Sequence, residues 1–515
     1  MDNSVGSVRN SVFEFFLFSL LSVFLFFIGC GGKDDLAERY RAEELLSRAD
    51  RLKEQLIIKG SEYSNDDFRR LVDAYEMAID AVDLPESRAE VEVASTEIKQ
   101  AWAVALLANT RIASLYLDRR EYDSAFAYYQ NAANSPAVDD LQKNVIFRHM
   151  AYVSDKSGDF EEAAELYDSV SYGYIKILNP DRPEMEAISA PIKKAEMYRN
   201  IGDNQKFIKE LEKARDYYGK IIDDYPGSGL AEISLGKIAA SYLMQRQYHE
   251  ALKILESAGK DEKGVLKPGT LLLISDIYMN NVKDYKKAER FYREFLRLYP
   301  EHIDKAKALL GLGLSLYGNA EYEMARDAVK EIEKIPGVPE QIVAQSYYLI
   351  ALCYEKEDNW QLAEGQLELI KAMFPGNRVA FDAALYIVAH YRSKGKKSNT
   401  EREFDEAVDY IDRYVQSTSL NPVAAAQAAG YLARAYIENG EIEMAIERLE
   451  KLYYKYPNTP DGSMAPLKIA DLYENSLNDM PKAAEWLDIF IKENPGGANI
   501  GELKDYVENL KSNDI

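Results

Sequence analysis

One alanine recurs along the chain at a nearly constant spacing, and this periodicity constrains the fold more than any other feature. Successive copies are 38, 51, 37, 37, 37, 38, 44, 38 and 38 residues apart. The ten positions are Ala125, Ala163, Ala214, Ala251, Ala288, Ala325, Ala363, Ala407, Ala445 and Ala483. A fixed period of roughly 20–50 residues is typical of repeat architectures, whose units bury their apolar faces only by stacking on one another.

Each repeat has the pattern of two helices joined by a short turn. Apolar residues within a copy fall three and four positions apart, which places them on one helical face. Gly, Asn or Asp separates the two halves, as at Gly158-Asp159 and Asn439-Gly440. Proline often follows the second half, because it lacks the N–H that a helix interior requires. With an earlier degenerate copy around Ala78, the pattern predicts an all-α fold of about eleven helical hairpins.

The repeated pattern resembles the tetratricopeptide repeat. The small-residue position of that family corresponds to Ala113, Ala151, Ala195, Ala239, Gly313, Ala351, Ala433 and Ala470. Its tyrosine position corresponds to Tyr116, Tyr198, Tyr242, Tyr354, Tyr436 and Tyr473. The period is longer than the usual 34 or so residues, and the added residues follow aromatic-Pro pairs such as Tyr456-Pro457. This variant resembles the repeats of outer-membrane lipoproteins of the BamD type and of Tol–Pal-associated periplasmic proteins. The resemblance implies a right-handed α-solenoid that binds other proteins.

An uncharged apolar run from Phe15 to Gly29 precedes one of the two cysteines, Cys30. The run is shorter than the roughly 20 residues of a membrane-spanning helix and matches a signal-peptide core of about 7–15 residues. Gly29-Cys30 resembles the lipobox of bacterial lipoproteins, which implies lipidation of Cys30 and attachment to the membrane through an N-terminal lipid anchor. It also implies an outer-membrane location in the bacterial cell envelope, with the periplasmic or surface face left open. An uncleaved signal anchor is the alternative.

These features divide the chain into four segments. We predict a signal peptide at residues 1–29, a tether at 30–40, the repeat array at 41–496, and a C-terminal cap and tail at 497–515. The locally basic insertion Ser393–Arg402 lengthens one repeat. It is either a solvated loop or a contact point for an acidic partner or lipid headgroups.

Charge and motif content exclude several classes of function. The formal net charge of −23 disfavours nucleic acid, whose binding depends on clustered Lys and Arg, and favours basic partners. Cys353 lies in an apolar helical stretch and is predicted to be a core residue. Gly311-Leu312-Gly313 lacks the third glycine of a dinucleotide loop and suggests close helix packing instead. Catalytic and metal-binding motifs are not found, so we expect no enzyme activity, metal site or cofactor.

Binding in the tetratricopeptide family commonly uses the inner surface formed by the first helices. Alignment of the best copies therefore implies two groups of partner-binding candidates: Gln345, Tyr348, Leu352 and Glu355, and then Gln427, Arg434, Ile437 and Glu438. The resulting interpretation is a lipid-anchored scaffold that binds other envelope proteins, with the assembly of outer-membrane or envelope complexes as its expected role. A ligand-capturing surface lipoprotein, similar to carbohydrate-binding proteins of the SusD kind, is the alternative.

Overall fold

The computed structural model describes residues 33–59, 64–497 and 500–512. Cys30, the predicted signal peptide and the start of the predicted tether lie outside these ranges. The described part of the chain is α-helical and contains no β-strand, only an isolated bridge between Lys260 and Leu266. This confirms the predicted all-α fold class.

The helices are numbered here in chain order. The first twelve are α1 Lys33–Lys59, α2 Asn65–Asp80, α3 Arg88–Val93, α4 Thr96–Asp118, α5 Tyr122–Asn134, α6 Asp140–Ser157, α7 Phe160–Ile177, α8 Met185–Ile188, α9 Ala190–Ile201, α10 Asn204–Asp224, α11 Gly229–Met244 and α12 Tyr248–Ala258. The others are α13 Pro268–Ile277, α14 Tyr285–Leu298, α15 Lys305–Gly318, α16 Tyr322–Lys330, α17 Glu340–Lys356, α18 Trp360–Met373, α19 Arg378–Ser393, α20 Lys397–Ser417, α21 Pro422–Asn439, α22 Ile442–Lys455, α23 Pro460–Ser463, α24 Ala465–Asn475, α25 Met480–Glu493 and α26 Ile500–Ser512. A π-helical turn, Tyr278–Val282, follows α13, and a 3₁₀ turn, Glu331–Lys334, follows α16.

These helices form eleven successive hairpins, which matches the predicted number. In chain order the hairpins are α1–α2, α4–α5, α6–α7, α9–α10, α11–α12, α13–α14, α15–α16, α17–α18, α19–α20, α21–α22 and α24–α25. The chain divides into two compact units. Of the described residues, one unit contains those from 33 to 213 together with 494–497, and the other contains 214–493 with 500–512.

The recurring alanines explain how the two helices of a hairpin approach each other. All ten of the predicted positions are at most 2% exposed. The small residues of the first helices, from Ala113 to Ala470, are buried as well. Alanine has no atom beyond Cβ, so the helix axes come close and the larger Leu, Tyr and Phe side chains fill the space beside them.

Aromatic-Pro pairs end the second helices, as the sequence indicates. α14 ends at Leu298 before Tyr299-Pro300, and α22 ends at Lys455 before Tyr456-Pro457. Proline removes a backbone donor and prevents the helix from continuing. The chain can then turn and begin the first helix of the next hairpin.

Two segments are more helical than the pattern suggested. α1 begins at Lys33, so residues 33–40 of the predicted tether are helical. α20 begins at Lys397, so most of the Ser393–Arg402 insertion extends a second helix and is not a loop. Lys, Glu and Arg within both segments are good helix formers, which accounts for the difference.

Cys353 and Gly311 are packing residues, as predicted. The Cys353 thiol is fully buried, and burial raises its pKa to about 11. A Cβ added to Gly311 would lie 2.3 Å from the ring of Tyr292, so this glycine allows α15 to approach α14 closely. None of the described helices combines the length and apolar composition needed to cross a membrane.

Candidate protein-binding surface

The eight predicted binding residues lie on two first helices of the second unit. α17 carries Gln345, Tyr348, Leu352 and Glu355, and α21 carries Gln427, Arg434, Ile437 and Glu438. Gln345, Arg434 and Glu438 are exposed, and the other five are half-buried. α19 is the first helix of the hairpin between them, and its side chains connect the two groups.

Glu355 is the point where α17 meets α19. One of its carboxylate oxygens accepts a hydrogen bond from the Tyr386 hydroxyl. The other lies 2.7 Å from Nδ1 of His390. Both partners belong to α19, so a predicted residue of the first group is held by two residues of the neighbouring hairpin.

Asp382 of α19 connects that helix to α21 in the same way. It accepts a hydrogen bond of 3.1 Å from the Tyr431 hydroxyl and forms an ion pair with Arg434, with a nitrogen–oxygen distance of 2.8 Å. Arg434 also pairs with Glu438 of its own helix at 2.6 Å. A carboxylate of α19 therefore orients the guanidinium of the second predicted group.

Ring contacts complete this connection across the three helices. The ring centroids of Tyr348 and Tyr386 lie 5.8 Å apart in an edge-to-face arrangement. We refer to six half-buried or exposed side chains as the first-helix surface: Tyr348, Glu355, Asp382, Tyr386, Tyr431 and Arg434. His390 is not included because it is buried, being only 8% exposed. The structure thus places Tyr348 and Glu355 in one bonded group and Arg434 and Glu438 in a second, and α19 contributes residues to both. No such bonds are recorded for Gln345 or Gln427 within the described residues.

The electrostatics of this surface keep its phenols protonated. Burial, together with the carboxylate of Asp382, raises the pKa of Tyr431 to about 12. Burial and the hydrogen bond to Glu355 raise the pKa of Tyr386 as well. The tyrosines are therefore neutral hydrogen-bond donors at physiological pH, and the carboxylates beside them are acceptors.

Sequence alignment missed Asp382, Tyr386 and His390 of α19, and the insertion in that repeat is the reason. It also missed Tyr431 of α21, whose repeat is in register. Tyr354 precedes its central alanine, Ala363, by nine residues, whereas Tyr391 precedes Ala407 by sixteen. Alignment on the central alanines therefore loses the register of α19. Alignment on the tyrosines Tyr354, Tyr391 and Tyr436 would place Asp382 at the same position as Gln345 and Gln427.

The chemistry of the surface suits polypeptide recognition. Half-buried phenol rings supply apolar area with a polar tip, and such side chains are enriched at binding interfaces. Among the described residues, no group of three or more His, Cys, Asp or Glu side chains could hold a metal ion. The first-helix surface can thus contact a polypeptide through hydrogen bonds, ring contacts and charged groups.

Two sequence comparisons relate the repeats to known proteins. The family described as "Tetratricopeptide repeat" matches residues 193–228 and 431–459. The second match covers the Tyr431 and Arg434 half of α21 and all of α22. The outer membrane protein assembly factor BamD of Rickettsia prowazekii (strain Madrid E) is 26% identical over 236 residues, which cover 42% of this chain and 91% of that protein.

Two matches among solved structures are more distant. The apo form of RapI is 14% identical with a TM-score of 0.36, and the match covers 70% of this chain and 98% of that one. The Cut9–Hcn1 hetero-tetramer of the APC/C gives 13% identity and a TM-score of 0.27, covering 91% of this chain and 98% of that one. The chain therefore contains tetratricopeptide repeats, and over part of its length it resembles BamD.

Proposed function

We propose that this protein is a lipid-anchored scaffold of the bacterial cell envelope that binds other envelope proteins through its first-helix surface. Tetratricopeptide repeats are protein-interaction scaffolds, and this fold is typically non-enzymatic. The observation that carries the proposal is the pair of tyrosine–carboxylate groups that join α17 to α19 and α19 to α21. Its partner would be another envelope protein with basic side chains, because the chain carries a net charge of −23.

The envelope location draws support from two independent features. One is the apolar run that ends at Cys30, with its resemblance to a lipobox. The other is the similarity to BamD, which is described as an outer membrane protein assembly factor. A role in assembly at the outer membrane would account for both features, because the lipid would hold the repeats beside the membrane.

Site-specific crosslinking tests the binding surface. A photo-crosslinking amino acid replaces Gln345, which is exposed on a first helix, or Gln361, which is exposed on the second helix of the same hairpin. We expect discrete protein adducts in isolated envelopes from position 345 and none at position 361. Equal adducts from both positions, or no adducts at all, would contradict the proposed surface. Micromolar glycan binding would instead favour the ligand-capturing alternative.

A separate experiment tests the anchor. The Cys30→Ala variant is compared with the unmodified chain by metabolic palmitate labelling and membrane fractionation. We expect the variant to lose its label and its outer-membrane location. Unchanged labelling and location would refute the anchor and leave the binding surface untouched.

A further inference from the structure

A separate feature lies between the α19–α20 and α21–α22 hairpins. It is a groove of about 550 Å³ between the second helices α20 and α22, with α21 contributing to its wall. Val415, Leu432 and Leu452 supply apolar side chains to it. Its volume falls within the range of about 300–1,000 Å³ that is typical of ligand sites. We call it the α20–α22 groove.

Two polar atoms in this groove have no hydrogen-bond partner within the described residues. One is the hydroxyl of Tyr456, a residue that is only 7% exposed, and the other is Nε of Arg448. A buried polar group without a hydrogen-bond partner destabilises the folded chain. A ligand with a hydrogen-bond acceptor would satisfy both atoms, because the guanidinium donates and the phenol can donate.

The charges around the groove indicate which acceptor it would take. Arg448, Lys451 and Lys455 lie along α22, and Lys451 is paired with Glu447. For Arg448 and Lys455 the described part of the chain offers no ion pair, only aromatic rings at 5.6 and 5.2 Å from their cationic centres. Lys451 and, to a smaller degree, Arg448 lower the pKa of the Glu447 carboxyl. Because neither Arg448 nor Lys455 forms an ion pair within the described residues, both are available to an anionic group on the ligand.

The carboxylates at the groove favour a polypeptide over an anionic lipid. Asp412, Glu447 and Glu450 also line it. They can accept hydrogen bonds from the backbone N–H groups of a peptide, whereas a lipid phosphate presents no N–H donor to them. The groove therefore provides apolar side chains, cations and hydrogen-bond acceptors, and the acceptors can bind the N–H groups of a peptide backbone.

We propose that the α20–α22 groove binds a segment of a partner polypeptide in which a large apolar side chain stands next to an Asp or Glu carboxylate. The apolar side chain packs against Val415, Leu432 and Leu452. The carboxylate accepts hydrogen bonds from Arg448 and Tyr456. This site shares no residue with the first-helix surface. A test of the groove is therefore separate from a test of the proposed function.

Peptide selection tests the site with the full chain. A phage-displayed library of peptides is selected on the purified protein, and enriched sequences are synthesised with amidated C-termini so that only side-chain carboxylates remain. Fluorescence anisotropy then gives affinities for the original chain, for Tyr456→Phe, for Arg448→Gln, and for the control Arg413→Gln, an exposed arginine of α20. Tyr456→Phe keeps the ring and breaks no recorded hydrogen bond, so its melting temperature should not fall.

We expect enriched peptides to share the apolar–acidic pair and to bind both groove variants at least about tenfold more weakly, as the loss of a hydrogen bond to a charged group predicts. The control should bind as tightly as the original chain. Three results would overturn the proposal: no enrichment above background, equal affinity for the groove variants, or equal affinity when Gln replaces the acidic residue of the peptide. Displacement of the peptides by vesicles of phosphatidylcholine and phosphatidylglycerol would assign the groove to lipid instead.

Discussion

The imidazole of His390 lies flat against the indole of Trp360, with ring centroids 3.4 Å apart and planes 5° apart. Its Nδ1 lies 2.7 Å from the Glu355 carboxylate. Trp360 is the first residue of α18, so a single side chain of α19 contacts both helices of the preceding hairpin. His390 therefore couples the first-helix surface to the packing between repeats.

Substitution of His390 separates these two contacts. In His390→Phe the ring stack is kept and the bond to Glu355 is lost, so we expect a cost of about 1–3 kcal/mol, typical of a hydrogen bond to a charged group. In His390→Ala both contacts are lost and the cost is larger. Hydrogen exchange of the α17 and α19 amides measures the effect on local opening. Protection in His390→Phe equal to that of the original chain would show that the bond contributes nothing.

Acidification should weaken the first unit through His149. Burial, with Arg148 beside it, lowers the pKa of His149 to about 4, whereas an unfolded histidine titrates near 6.5. Between these values the unfolded chain binds a proton that the folded chain does not. The free energy of unfolding therefore falls as pH drops through this window, by at most about 1.4 kcal/mol per pH unit.

The control for this effect is His149→Phe, which retains an aromatic ring against Tyr129. Urea denaturation of both proteins between pH 5 and 7 gives the comparison, and carboxylates common to both cancel in the difference. We expect a shallower pH dependence in the variant. Parallel curves would mean that His149 takes up its proton in the folded state at an ordinary pH.

The sequence predicts the repeat array well because close helix packing has a strict residue requirement. Only a small side chain fits where two helices nearly touch, so the alanines recur at every hairpin and can be counted. The two bonded groups around Glu355 and Asp382 have no such requirement. Their members come from three hairpins, and the insertion before Ala407 shifts α19 out of register. Bonds between repeats therefore emerged only from the structure.

Enlarging a central alanine tests this packing requirement. Ala363 of α18 is fully buried, so Ala363→Leu should cost about 1–3 kcal/mol through overpacking. Ala372 of the same helix is exposed, and Ala372→Leu should change stability by less than about 0.5 kcal/mol. Because Ala and Leu have similar helix propensities, thermal denaturation of the pair isolates packing. Equal melting temperatures would show that α18 has room to move.

Gly376, in the turn before α19, combines a backbone requirement with a packing requirement. Its φ is +89°, and a Cβ there would lie 2.1 Å from a ring carbon of Tyr414. Gly440 has a similar φ of +83° but no atom within 4 Å of the added Cβ. Alanine at either position incurs the left-handed penalty of about 1–2 kcal/mol, and we expect a further loss only in Gly376→Ala.

A double-mutant cycle isolates the ring contact of Gly376. In a Tyr414→Leu background the obstructing ring is absent, so the cost of Gly376→Ala should fall to that of Gly440→Ala. Urea denaturation of the single and double variants gives the coupling energy. An unchanged cost of Gly376→Ala in that background would place the loss in the backbone and not in the packing of the α18–α19 turn against α20.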